Sequence, residues 1–301
     1  MEECNFFAMK IDFHIHSGDC SDGRLSLQEI FEEAARRRLS FISITDHDCL
    51  DCQEPARALA ERYAIQYLYG IELNVSFTYP GYKNAKPVSL DFLGYNYDIS
   101  YRPLIDKLKS LSEYRRGRAR KILHRINEEL GRENLEPLTG EDLQAIQNSV
   151  DGSFGRPHIA RYMVKKGIVR TTQEAFDRYL VRCDVPKMPL SLPEASGLVR
   201  GAGGKLILAH PNDPNGTSLA SLSASLEEQQ TVIRNGILPY IDGIECWHPR
   251  HDPNTVESYR AFAEENHLLV TGGSDCHQQP VILGTVDVPA YVAYQFFERA
   301  R

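Results

Sequence analysis

A chain of 301 residues can bury a substantial core, as one large barrel-type domain or a barrel carrying an insertion rather than as two independent domains. With 42% hydrophobic and 25% charged residues and neither an acidic nor a basic tail, the composition excludes a disordered chain. A net charge of −7 argues against non-specific attachment to long nucleic acid, but leaves open a nucleotide or short oligonucleotide held in a local cationic pocket.

The opening MEECNFFAMKIDFHIH lacks the basic start and continuous apolar stretch of a signal peptide, and no later run is long enough to span a bilayer. A cytoplasmic protein without a membrane partner is expected, and no obligate protein partner is evident. KIDFHIHS, LSFISITDH and YLYGIEL read as strands, separated by the amphipathic stretches LQEIFEEAARRR and EPARALAERYA. That alternation, from Lys10 to about Leu73, predicts a parallel α/β arrangement. After a further strand at VSLDFLGY the character changes. From about Tyr97 to Pro193 the chain is mostly helical, arginine-rich in SEYRRGRARKILHRI and broken by Gly and Pro. The α/β pattern resumes with GGKLILAHP, DGIECWHP, a helix over ESYRAFAEENH, and LLVTGGSDCH. The predicted organisation is a barrel formed by 1–97 and 194–301 with a helical cap at 98–193. Seven scattered cysteines do not resemble a disulfide framework, the single CxxC of Cys49 and Cys52 lacks a second ligand pair, and Cys20 and Cys276 are read as packing residues.

His14 and His16 lie at i and i+2 on a predicted strand, so they share a face and suit one metal ion. An isolated pair of this kind also fits hydrogen-bonded core histidines. Metal-capable residues recur, however, where strands end, at Asp22, His47, Glu72, His210, Asp275 and His277. In α/β barrels the loops at the carboxyl ends of strands converge on the active site. Asp275 and His277 repeat the i, i+2 spacing. Asp46 is either a ligand or, the preferred reading, a partner orienting His47, while Glu72 is either a carboxylate bridging two cations or a solvated loop group. Mixed imidazole and carboxylate donors suit Mn, Zn or Fe, and the sequence does not choose among them.

FHIHS, SDG, ITDHD, GIEL, LDFLGY, GRPHIARYMVKKG, GGKLILAHP and GGSDCH together resemble the PHP (polymerase and histidinol phosphatase) family of the amidohydrolase superfamily. The resemblance spans most of the chain and is nearest to phosphoesterases of small nucleotides and exonucleases of short RNA. It implies a distorted (β/α)7 TIM-like barrel with a helical cap and two to three divalent metal ions. By position it implies His14, His16, Glu72 and Asp275 at one metal, Glu72, residue 91 and His210 at a second, and Asp22, His47 and His277 at a third. One position departs, because Asp91 stands where similar proteins carry His. For phosphate binding the resemblance implies Arg115 and Arg118, one helical turn apart, with Arg156 and His158. Similar proteins carry Lys near position 184, where this chain has Asp184, and Lys187 is the substitute. His248 and His251 follow a barrel-type strand, where an imidazole could touch phosphate or protonate a leaving oxygen.

The expected activity is metal-dependent hydrolysis of a small phosphorylated sugar or nucleotide by a metal-bound hydroxide. A cyclic phosphodiester followed by the resulting monoester is one sequence such a centre could carry out. The competing readings are an exonuclease on short RNA or DNA oligonucleotides, an amidohydrolase acting on a non-phosphate substrate, and a non-catalytic scaffold.

Overall fold

A computed structural model of the protein describes residues 9–81, 86–148, 156–186, 188–277 and 281–296. Strand β1 (Lys10–Ile15) is buried after its first residue, so both of its faces are covered. Phe13 on one face meets the rings of Phe41 and Phe296 at 4.8 and 5.8 Å. Helix α1 (Leu27–Arg36) starts at Ser26, whose side chain and main-chain N–H exchange hydrogen bonds with Glu29. Its Leu27, Ile30, Phe31 and Ala34 are buried at helical spacing. Strand β2 (Leu39–Ile44) returns parallel to β1, and after α2 (Gln53–Tyr63) the two-residue β3 (Gln66–Tyr67) pairs parallel with β2.

The stretch YLYGIEL is not one strand. β3 closes a first sheet at Tyr67, and β4 (Gly70–Phe77) begins a second. Gly70 makes the switch, since a Cβ there would stand 2.1 Å from Ser43 Oγ and 2.9 Å from Ile44 O. Direction also differs from the parallel expectation. β5 (Val88–Tyr95) runs antiparallel to β4, because no helix intervenes to carry the chain back to the same end.

The chain forms two compact units, Met1–Ile105 with Pro189–Arg301, and Asp106–Met188. The second is helical, built on α3 (Arg102–Arg132) from Asp106 onward, α4 (Gly140–Asn148), α5 (Arg156–Lys165), α6 (Thr172–Ala175) and a π-helical turn at Phe176–Leu180. Ile122, Ile126 and Leu130, four residues apart on α3, join Ile159, Met163 and Tyr179 in its core.

In the first unit α7 (Leu192–Gly201) leads into β6 (Lys205–Leu208), antiparallel to β5. Then α8 (Leu226–Val232), β7 (Gly243–Trp247), α9 (Pro253–Glu265) and β8 (Leu269–Gly272) restore parallel pairing, and α10 (Tyr291–Tyr294) follows. The described residues make a mixed α/β unit with sheets of three and five strands. Isolated parallel bridges join Ile15 to Cys276 and His47 to Glu72, between strand ends of the two sheets. Among the described residues no helix is long and apolar enough to cross a membrane.

The cysteine reading is corrected at one point. Cys20 and Cys52, 32 residues apart, form a disulfide joining the loop after β1 to the start of α2. Parallel pairing of β1 with β2 sets the two exit loops side by side, a proximity that sequence spacing does not show. Cys276 is buried and packs in the core beside Ile15 and Ile44.

Gly273 lies against β1, where a Cβ would stand 2.3 Å from the His14 nitrogen. Gly273→Ala should therefore destabilise the protein by about 2–3 kcal/mol. A urea unfolding midpoint unchanged by the substitution would contradict this packing.

Candidate metal centre

Asp12, His14 and His16 alternate along β1 and its exit, so their side chains project to one face. His14 and His16 are buried, with their Nε2 atoms 3.1 Å apart. Such an approach of two ring nitrogens requires a proton or a cation between them. Glu72, buried on β4, places Oε1 3.1 Å from His210 Nε2 and 3.5 Å from His14 Nε2. Its Oε2 lies 3.0 Å from His47 Nδ1 and 3.2 Å from His16 Nε2.

Asp275, beyond β8, sets Oδ1 3.3 Å from Nε2 of both His14 and His16, and 3.2 Å from His277 Nδ1. Asp22, in the loop after β1, lies 3.2 Å from His277 Nε2 and 3.7 Å from His47 Nε2. Three donor groups result, each with ligand atoms within 4.8 Å of one another: His14, His16 and Asp275; His14, Glu72 and His210; His16, Asp22, His47 and His277. The first two are largely buried and the third is partly exposed.

These residues fit divalent cations. Among the described residues Glu72 Oε2 and Asp275 Oδ1, although close to imidazole nitrogens, make no hydrogen bond to them, and His210 Nδ1 has no partner either, a costly state for buried polar atoms. The donors combine imidazole and carboxylate, the set suited to Zn, Mn or Fe. His210 and Asp275 also have φ of +25° and +49°, left-handed conformations that non-glycine residues adopt rarely and that cluster at functional sites.

Asp91 does not join a donor group. On β5 it pairs with Asn74, whose Nδ2 donates to Asp91 Oδ1 at 2.6 Å. Burial, reinforced by the nearby Glu72 charge, pushes its carboxyl up to about 7. Asp46 is committed to structure, accepting the Ser17 N–H and hydroxyl at 2.7 Å each.

Sequence reasoning missed Glu245. Buried on β7, it contacts His14 Nδ1 at 3.0 Å through Oε1 and accepts the His210 N–H at 2.8 Å through Oε2. It thereby turns His14 Nε2 toward the donor groups and holds the strained His210 backbone. The signal was available as an acidic residue inside the apolar strand GIECW.

His248 and His251 separate into different environments. His248 Nε2 lies 3.4 Å from Asp275 Oδ2, and His248 forms a further donor group with Asp213 and Asp275. His251 uses one ring nitrogen on Cys246 O at 2.9 Å and the other as acceptor from the Asn212 N–H at 3.3 Å. Burial lowers it to about 4, so it stays neutral and cannot serve as a proton donor near neutral pH. The expected catalytic role of His251 is therefore not supported by its surroundings.

Of the expected phosphate ligands, Arg115 and Arg118 lie on α3, and Arg156 and His158 on α5. Arg118 is buried, and both Arg118 and Arg156 pair with Asp184. Arg115 and His158 are half-buried, and Lys187 lies outside the described residues.

A family model described as PHP domain matches residues 12–182. The 3',5'-nucleoside bisphosphate phosphatase of Chromobacterium violaceum is 28% identical over 89% of this chain and 87% of that protein. The 5'-3' exoribonuclease Rnm of Escherichia coli is 27% identical over 92% of this chain and 88% of that protein. The solved structure of a protein from Bifidobacterium adolescentis, described as a metal-dependent phosphoesterase, is 27% identical, with a TM-score of 0.73 and 96% of each chain covered.

Two predictions follow from this geometry. Glu245→Gln turns one acceptor into a donor facing His14 or His210, and should weaken metal binding about 10- to 100-fold. Titrating Mn or Zn into metal-free protein measures it, and wild-type affinity would refute the positioning role. The second concerns pH. Although burial opposes protonation, Glu72 holds His210 at about 9, and neighbouring carboxylates raise His14 and His277 well above the ordinary range. Metal uptake should therefore release protons, with affinity rising from pH 7 toward 9. A pH-independent affinity would contradict it.

Proposed function

The chain belongs to the PHP domain family and is a metal-dependent hydrolase of phosphoric ester bonds, and we propose that its substrate is a small phosphorylated sugar or nucleotide. The observation that supports this most is the convergence of His14, His16, His47 and His210 on the two oxygens of Glu72. The adjoining pairs of strand ends, Ile15 with Cys276 and His47 with Glu72, favour a distorted (β/α)7 barrel as the underlying form. In this reading residues 98–193 act as the cap.

In this reading the three metal sets are His14, His16, Glu72 and Asp275; Glu72 and His210, which Asp91 would join on leaving Asn74; and Asp22, His47 and His277. Bound divalent cations would supply a nucleophile near neutral pH and stabilise charge on the phosphoryl oxygens. The protein's own groups do the remainder. Glu72 and Asp275 fix the spacing between sets. His248, buried beside Asp275, is the group assigned to hold or deliver a proton at the leaving oxygen through Nε2. Arg115, Arg118, Arg156, His158 and Lys187 are assigned to orient phosphate groups of the substrate. A cyclic diester opened first and then cleaved as a monoester fits a centre with three sets.

The E. coli relative's name supports a second reading, a 5'-3' exonuclease on short RNA. Turnover of sugar phosphates and nucleotides against an RNA length series separates the two, and a rate that grows with oligonucleotide length favours the exonuclease.

Chelation should abolish phosphate release and Mn, Zn or Fe should restore it, whereas undiminished turnover by metal-free protein would overturn the central reading. Asp91→His should increase the metal retained per chain, measured by elemental analysis after dialysis, and an unchanged content would remove residue 91 from the ligand set.

A further inference from the structure

Within the Asp106–Met188 unit, Asp184 lies between two guanidinium groups. Its Oδ1 accepts from Arg118 Nη2, and its Oδ2 lies 2.9 Å from Arg156 Nη1. The Val185 N–H also donates to Oδ1, at 2.8 Å. The two arginines differ in freedom. Arg118 is 8% exposed and also donates through Nε to Val185 O, so it is fixed in place. Arg156 is 31% exposed, with a long 3.5 Å contact to Leu180 O and a stack on Phe176.

One buried, fixed guanidinium and one adjustable one, bridged by two anionic oxygens, is the arrangement in which arginines hold phosphate. The bridging anion here belongs to the chain itself. We propose that Asp184 is a specificity-determining residue, an internal anion that occupies a phosphate seat formed by Arg118 and Arg156 and yields best to a dianionic phosphomonoester group. The inference rests on the phosphoester reading above.

The selectivity follows from charge. An entering anion must replace the interaction of one carboxylate charge with two guanidinium groups. A phosphodiester carries one negative charge and gains little by the exchange, whereas a phosphomonoester near neutral pH carries nearly two. The displaced carboxylate, 36% exposed, can turn to water at small cost. Every ligand loses apparent affinity in proportion to the time Asp184 holds the seat, so weakly charged ligands are screened out. The substrate class is therefore a molecule bearing a terminal phosphomonoester, whether or not that group is the one hydrolysed. A brace pinning residues 184–185 to α3 is the competing account of the same contacts.

The test is calorimetric titration of inorganic phosphate and of dimethyl phosphate into the full chain, stripped of metal so that no cation contributes. Wild type should bind phosphate at least about tenfold more tightly than dimethyl phosphate. Asp184→Asn should tighten phosphate and dimethyl phosphate alike, each about tenfold, because the internal anion lowers every apparent affinity by the same factor. Unchanged affinities in a folded Asp184→Asn protein would overturn the proposal. Should that variant fail to fold, Arg156→Gln decides alone, since it leaves Arg118 and its bond to Val185 in place. A loss of about tenfold in phosphate affinity supports the seat, and no change shows only a brace. Phosphoester hydrolysis by metal-loaded wild type is measured separately, and its absence would overturn the functional reading while the titration still reports on the seat.

Discussion

The first unit is organised around the need to compensate a desolvated carboxylate. Glu72 is 1% exposed, and a charge buried so deeply persists only when paired and fully engaged. Four imidazoles, carried on β1 and its exit, beyond β2 and beyond β6, bring ring nitrogens within 3.0–3.5 Å of its oxygens, and Oε2, left without a hydrogen bond, has room for a cation to complete the engagement. The same approach that neutralises the carboxylate packs donor atoms closely enough to share cations, so stability and function place one demand on this point. Replacing protons by divalent cations keeps the balance, which is why the centre tolerates so many like groups in a small space.

A second layer of buried carboxylates holds the backbone and, at His14, the donor ring itself. Asp12 accepts the Ser274 N–H at 2.8 Å and the Gly284 N–H at 2.7 Å, tying β1 to the segment after β8. Asp46 fastens the turn at Ser17, and Glu245 links His14 to the main chain of His210. Each spans two strands. They hold the donor-bearing loops in conformations, including the left-handed His210, that the local sequence does not favour.

Much of this was legible from residue type and period. HxH on an apolar strand, an acidic residue after Gly70, and a closing DxH named side chains that the structure brings together, because strand alternation fixes which residues share a face. What escaped notice depends on proximity between distant segments. The Cys20–Cys52 bond follows from the neighbouring exits of β1 and β2, and the antiparallel course of β5 follows from the short return after β4. Glu245 was overlooked because it sits within a strand rather than at its end. His251 looked equivalent to His248 in ECWHPRHDP, yet one turn of chain gives it a carbonyl and an amide instead of a carboxylate. Asp184 was legible as a departure from a basic residue, but its partners lie 66 and 28 positions back along the chain.

The bridge between Ile15 and Cys276 has a further consequence for how the chain reaches its native state. Donors from His14 to His277 draw on almost the whole length of the polypeptide, so the pairing of the first strand with the segment after the last is a contact of very high sequence separation. Contacts of that kind form late, since loop-closure entropy opposes them until intervening elements are in place. A nascent or truncated chain therefore carries the histidines without the centre. Cations that bind only the completed arrangement stabilise it by mass action, adding their binding free energy to the whole fold rather than to a local loop.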